Sequence, residues 1–190
     1  MNTLFSHVCV VTMDERMSVW TDAFVGVTDG KISYLSKHAP EEKPAQIIDA
    51  TGMVLMPGLI NCHTHLPMQL LRGYADDLKL QEWLNDYIFP REDRLDGRCV
   101  RAATTLAVAE CLKFGVTSVS DMYYFCDDIC DVIAKSGMKA NISRGTSMFL
   151  GDDFDFEKFP ACQELVALKN KWHNFDGGRI KIEASIHAEH

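Results

Sequence analysis

The chain has 190 residues, 47% of them hydrophobic and 24% charged, a balance that supplies enough apolar side chains for a sizeable globular core. Its 27 acidic residues outnumber 19 basic ones, for a formal charge of -8, and no run of Lys or Arg offers a stripe for phosphates, so nucleic acid is excluded as an expected partner. Residues 1–17 lack a cationic start followed by a long apolar run, and no apolar stretch is long enough to span a bilayer; a cytoplasmic chain with no membrane partner is expected.

In chain order, residues 1 to about 50 read as short strands at 8–11, 23–27, 32–35 and 47–48, separated by polar turns. Thr28-Asp29-Gly30 is a hairpin signal, because Asp-Gly between β-rich runs suits a tight turn that needs positive φ; it places 25–35 in a hairpin. A β-rich segment this small rarely holds a core alone, so residues 1–52 form part of a small β-domain completed by the following domain or by other strands.

After Thr51-Gly52 the rhythm becomes strand, helix, strand, the pattern of parallel βα units. Residues 53–60 are a continuous apolar run and the first strand. Residues 97–114 place Val100, Ala103, Ala107, Val108, Cys111 and Leu112 on one helical face, and Gly115 ends that helix. A second strand at 116–120, a helix containing 128–135 and a third strand at 139–143 follow. Pro160 opens a helix to about Trp172, Gly177-Gly178 turns the chain, and 180–186 is the fourth strand. Cys126 and Cys130, four apart on a helix, read as packed core thiols, since the seven cysteines fit neither a disulfide framework nor a zinc ribbon. A closed eight-stranded βα barrel needs about 250 residues, so residues 53–190 amount to four βα units, half of a TIM-type barrel. A small doubly wound sheet is the alternative, but it leaves the His-rich end of the first strand without an explanation.

That end is His63-Thr64-His65. In an extended chain residues i and i+2 share a face, so both imidazoles can reach one metal ion. Two surface histidines are the default for a bare His-x-His. The apolar strand with Pro57-Gly58 and Asn61 that leads into the pair favours the metal reading, because it sets the pair at the C-terminal mouth where barrel enzymes keep their sites.

The segment MPGLINCHTHLPMQLLRGYADDLKLQEWL, residues 56–84, resembles the first-strand motif of the amidohydrolase superfamily. Its continuation through Pro90-Arg91-Glu92, Ala109-Glu110, Gly115-Val116-Thr117 and Asp121-Met122-Tyr123 is similar to the branch that deaminates S-adenosylhomocysteine and methylthioadenosine. The opening DGKI and Ile48-Asp49-Ala50 are similar too. The resemblance implies an α/β fold: the first half of a TIM-type (β/α)8 metal-dependent hydrolase barrel over 53–190, preceded by a partial small β-sandwich over 1–52. It implies His63 and His65 as two ligands of one divalent metal, zinc being the expected ion and iron the alternative. It also implies Trp83 against the substrate, Glu92 on the ribose hydroxyls, Arg144 at the polar end of the substrate, and His187 on the base or ribose. Read without the family, Trp83 is equally a core residue, Glu92 a solvated acid and Arg144 a structural salt bridge.

Two departures stand out. The stretch TSMFLGDDFDFEKF, residues 146–159, is acidic and aromatic with Lys158 its one basic residue, where relatives selective for S-adenosylhomocysteine often carry a second arginine. Around His187 the chain reads Ile-His-Ala-Glu-His, where many relatives have Pro-His-Ser-Pro-Tyr, so His190 stays unassigned. The family's remaining metal ligands and its proton-shuttling glutamate fall beyond His190, so no catalytic residue is assigned here, and the chain is expected to be an inactive fragment of a hydrolytic deaminase. The alternatives are a guanine deaminase or triazine chlorohydrolase acting on another heterocycle, or a non-catalytic half-barrel that pairs with itself or with a complementary C-terminal half.

Overall fold

The structure, a computed structural model, describes residues 1–146 and 154–186. They belong to two compact units, Met1–Pro57 and the chain from Gly58 onward.

The first unit is a five-stranded sheet of β1 (Thr3–Val11), β2 (Val19–Thr28), β3 (Lys31–Ser36), β4 (Gln46–Asp49) and β5 (Val54–Leu55). The order is β3-β2-β1-β4, with β5 also pairing with β1. The expected hairpin joins β2 to β3, and Asp29 and Gly30 both have positive φ, at 49° and 74°, as a two-residue type I′ turn requires. Alternation along β1 turns Val8 and Val10 onto Ala23, Val25 and Ala50. The described residues contribute this one sheet where a sandwich has two.

The second unit carries a parallel sheet in the order β6 (Leu59–Thr64), β7 (Val116–Tyr123), β8 (Lys139–Thr146) and β9 (Ile180–Ile186). Its main helices are α1 (Gly97–Lys113), α2 (Cys126–Ser136) and α3 (Pro160–Trp172). This is a mixed α/β fold whose parallel sheet is consistent with part of a barrel. Helix starts and stops follow local chemistry. The Asp96 carboxylate accepts the Cys99 N–H at 2.7 Å to cap α1, and Gly137, with φ 80°, ends α2. Ile129, Cys130 and Ile133 of α2 are buried against Val119, Ala140, Ile142 and Ile180 of the sheet, so Cys126 and Cys130 are core thiols as expected. Burial pushes the Cys126 thiol up to about 12.

Two expectations need correction. Residues 53–60 are not one strand: Val54–Leu55 pairs with β1, and the first strand of the parallel sheet runs from Leu59 to Thr64. Pro57 has no N–H for a ladder, and a Cβ at Gly58 would lie 2.1 Å from the Thr117 hydroxyl, so this dipeptide separates two strands that pair with different neighbours. His63 and Thr64 therefore lie inside β6, not beyond it. The second correction is helix between residues 80 and 92, where the sequence reading placed none. Leu80–Glu82 and Phe89–Glu92 are α-helical and flank a wider π turn, Trp83–Ile88, in which the Phe89 N–H reaches back to Leu84. Pro90 has no N–H to give to residue 86, and the widened turn absorbs the missing bond.

Candidate metal centre and adjoining cavity

Strand β6 delivers the histidines. Thr64 stands opposite Asp121 of β7 in register, and its hydroxyl donates to the Asp121 carboxylate at 2.7 Å. Period-two alternation turns His63 and His65 to the other face, where their Nε2 atoms lie 3.3 Å apart and their rings meet edge to face at 79°. The His65 Nδ1 is 2.6 Å from the Met122 carbonyl, which can only accept, so Nδ1 holds the proton and the Nε2 lone pair faces His63.

This arrangement suits a metal. Two imidazole nitrogens about 2.05 Å from a tetrahedral ion stand roughly 3.3–3.4 Å apart, which is the spacing found here. A carbonyl that fixes the tautomer of a ligating histidine is the usual outer partner of such a ligand. Among the described residues no group of three or more His, Cys, Asp or Glu side chains is arranged to hold an ion, so the pair supplies two donors.

Beside the pair, Tyr123 links it to the expected substrate contacts. Its ring centroid is 6.1 Å from that of His65, and its hydroxyl donates to Glu92 Oε1 at 2.6 Å. Glu92 is half-buried rather than a solvated acid, and burial pushes its carboxyl above the usual range against the opposing pull of the Tyr123 hydrogen bond. Glu92 and Arg144 both line a cavity of about 820 Å³, together with Tyr124, Phe125, Glu164 and Lys171. Arg144 lies on β8 in register with Tyr123. Its Nε donates to Glu164 at 2.5 Å, and its guanidinium sits 4.8 Å from the Tyr124 ring centroid. The salt bridge that the sequence sets against a substrate role for Arg144 is thus present. Trp83 is half-buried on the π turn and does not line this cavity. His187 and His190 fall outside the described residues, as do residues 147–153 of the acidic loop.

In the sequence Asp121 stands out only as part of the motif Asp121-Met122-Tyr123, and the structure gives it a central place. It is 1% exposed, and its Oδ1 accepts both the Thr64 hydroxyl and the Leu66 N–H, the latter at 2.6 Å. Among the described residues its Oδ2 has no hydrogen-bond partner, and burial pushes the carboxyl up to about 6. The signal was available: Val119, Asp121 and Tyr123 fall on one side of a period-two strand, so an apolar neighbour on either side marks the aspartate as buried.

The Amidohydrolase family matches residues 54–189 of this chain. The chain is 38% identical over 169 residues to a 5'-deoxyadenosine deaminase of Methanosphaera stadtmanae, covering 87% of this chain and 38% of that protein. To a 5-methylthioadenosine/S-adenosylhomocysteine deaminase of Thermoanaerobacter pseudethanolicus it is 34% identical, covering 99% of this chain and 43% of that one. The chain therefore spans about two fifths of the length of these curated relatives. Among solved structures, an adenosine deaminase from Xanthomonas campestris with bound zinc superposes with a TM-score of 0.83 at 31% identity, over 96% of this chain and 42% of the other. Atrazine chlorohydrolase TrzN from Arthrobacter aurescens TC1, complexed with zinc, superposes at 0.85 with 20% identity over 96% of this chain and 46% of the other, a likeness of fold alone. With the family matching from Val54 almost to the last residue, and relatives above 30% identity running nearly its full length, this chain belongs to the amidohydrolase family.

Proposed function

We propose that this chain is part of a metal-dependent hydrolase that deaminates an adenosine-type nucleoside, such as methylthioadenosine or S-adenosylhomocysteine, and releases ammonia. The observation that carries this reading is the His63–His65 pair, spaced at 3.3 Å with one tautomer fixed, at the same end of the sheet as Glu92. The names of its relatives supply the substrate class. A divalent ion held by the two Nε2 atoms, with zinc expected, supplies the Lewis acidity that makes water nucleophilic near neutral pH.

The chain's own residues do the rest of the work proposed here. Tyr123 occupies Glu92 Oε1 and leaves Oε2 to accept from a ribose hydroxyl. Trp83 offers a flat apolar face for the purine or its sugar. Arg144 meets a polar group at the far end of the substrate by exchanging its Glu164 partner. His187 is a further contact to the base or ribose. The two ligands found among the described residues are one short of the three usual for a catalytic zinc, so turnover is assigned to a complete barrel.

The test uses the full-length protein that contains this chain, loaded with zinc and given 5'-deoxyadenosine, methylthioadenosine, S-adenosylhomocysteine, guanine and a chlorotriazine. Ammonia from the nucleosides is expected. Chloride from the triazine, or ammonia from guanine with none from any nucleoside, refutes this reading in favour of a heterocycle hydrolase.

A further inference from the structure

The residues Asp121, Met122 and Tyr123 form one continuous stretch at the end of β7, and each holds a different part of the site. Tyr123 holds Glu92, the Met122 carbonyl holds His65 Nδ1, and Asp121 holds the backbone on which His65 stands. The last grip is unusual in its placement. One carboxylate oxygen accepts from Thr64 Oγ1 at 2.7 Å and from the Leu66 amide at 2.6 Å, the residues immediately before and after His65. The residues on both sides of the histidine, Thr64 through its hydroxyl and Leu66 through its amide, are thereby tied to a neighbouring strand.

We infer that Asp121 is a positioning residue for the metal pair: by pinning Thr64 and Leu66 through Oδ1, it sets His65 where its Nε2 meets that of His63 at ligand spacing. This inference rests on the metal reading proposed above. Its physical basis is that β6 reaches His65 just as the strand ends at Thr64 and the chain turns into the short helical segment Leu66–Leu71. The ladder between β6 and β7 ends at Thr64, so the Asp121 carboxylate adds to the Met122 carbonyl a second hold, on the backbone that carries the ring. The Thr64–Asp121 pairing follows a register shift after Asn61, so this corner is an irregular part of the ladder. A side chain retained purely for packing has no reason to be a carboxylate at 1% exposure with an unpartnered Oδ2, because that oxygen adds desolvation and no bond. What the carboxylate supplies is a short, doubly accepting Oδ1 directed at both flanks of His65. Partners that orient a ligand from outside are worth 10–100-fold in metal affinity as a rule of thumb, about the loss expected when one is removed.

The test is a cobalt(II) titration of the full-length protein that contains this chain, followed by visible absorption, with hydrogen exchange at the Leu66 amide read in the metal-free state. Asp121→Ala should weaken cobalt binding by about 10–100-fold and speed exchange at Leu66. Thr64→Val, which removes one of the two donors and keeps the side-chain shape, should show a smaller loss of several-fold. Asp121→Asn keeps an acceptor at the Oδ1 position and should recover most of the affinity. Ile133→Ala, a truncation in the core of α2, lowers stability without touching the corner and should leave cobalt affinity unchanged. Wild-type affinity in both Asp121→Ala and Thr64→Val, or an equal loss in Ile133→Ala, overturns the inference while leaving the metal reading intact. Failure of the wild-type full-length protein to bind cobalt overturns the metal reading and this inference with it.

Discussion

Replacing Asp121 by Asn should stabilise the metal-free chain at pH 8 and leave it unchanged near pH 4. In the folded state burial raises the Asp121 carboxyl to about 6 from its ordinary 3.8, against hydrogen bonds from Leu66 and Thr64 that pull it down. An acid whose folded value lies above its unfolded value binds its proton more tightly when folded. Its contribution is therefore fully present below about pH 3.8 and is lost as pH rises through 6, the reverse of a salt-bridged carboxylate. A gap of about two units, at roughly 1.4 kcal/mol each, makes the ionised side chain cost about 3 kcal/mol above pH 6. Protonated Asp and Asn both place an unpaired donor where Oδ2 has no partner, so that cost cancels between them. The variant should gain up to about 3 kcal/mol at pH 8 and close to none at pH 4, with the difference opening between those values. Urea denaturation of both proteins at half-unit intervals measures it directly, and comparing the pair removes the contribution of every other titrating group. A difference that is flat across the range, or a wild type that is the more stable at pH 8, would refute the reasoning.

Two further changes follow from the same elements. Tyr123→Phe removes the hydroxyl that pulls the Glu92 carboxyl down, so Glu92 should titrate at a still higher pH, measurable by carbon NMR; an unchanged or lower value would deny the hydrogen bond. Gly58→Ala drives a methyl group into the Thr117 side chain, 2.1 Å from its hydroxyl, where β6 starts beside β7. A loss of about 1–3 kcal/mol by denaturant titration is expected, with part of it recovered when Thr117→Gly is added; no recovery would place the strain elsewhere.

Much of the parallel sheet was legible because its helices and strands obey local rules. The helix expected over residues 97–114 and ended by Gly115, and the one opened by Pro160 and run to about Trp172, have boundaries that the structure reproduces closely. The break at Pro57-Gly58 was misread because apolar residues continue through it, and hydrophobicity alone does not report which neighbour each half pairs with. The helical turns of residues 80–92 were missed because Pro90 and a run of charged residues hide the periodicity that the π turn also disturbs. At the site, the facing of His63 and His65 followed from strand alternation. The partners did not: Tyr123 meets Glu92 across 31 positions, and Asp121 meets Leu66 across 55. Long-range pairs of this kind depend on sheet register, which a single sequence does not specify.

The way β6 joins its neighbour also orders events in time. Leu59 pairs with Val116, 57 positions away, whereas Ser118 pairs with Lys139 only 21 positions on and Ala140 with Ile180 after 40. Closing the longest of these loops costs about 1 kcal/mol more chain entropy than closing the shortest. Folding is then expected to begin where β7 and β8 zip together over α2, with the histidine-bearing strand docking last. Native-state hydrogen exchange should accordingly show the amides of β6 opening before those of β7, and the reverse order would contradict this sequence of events. Substitutions in β6 would, on this basis, accelerate unfolding and leave the folding rate nearly untouched.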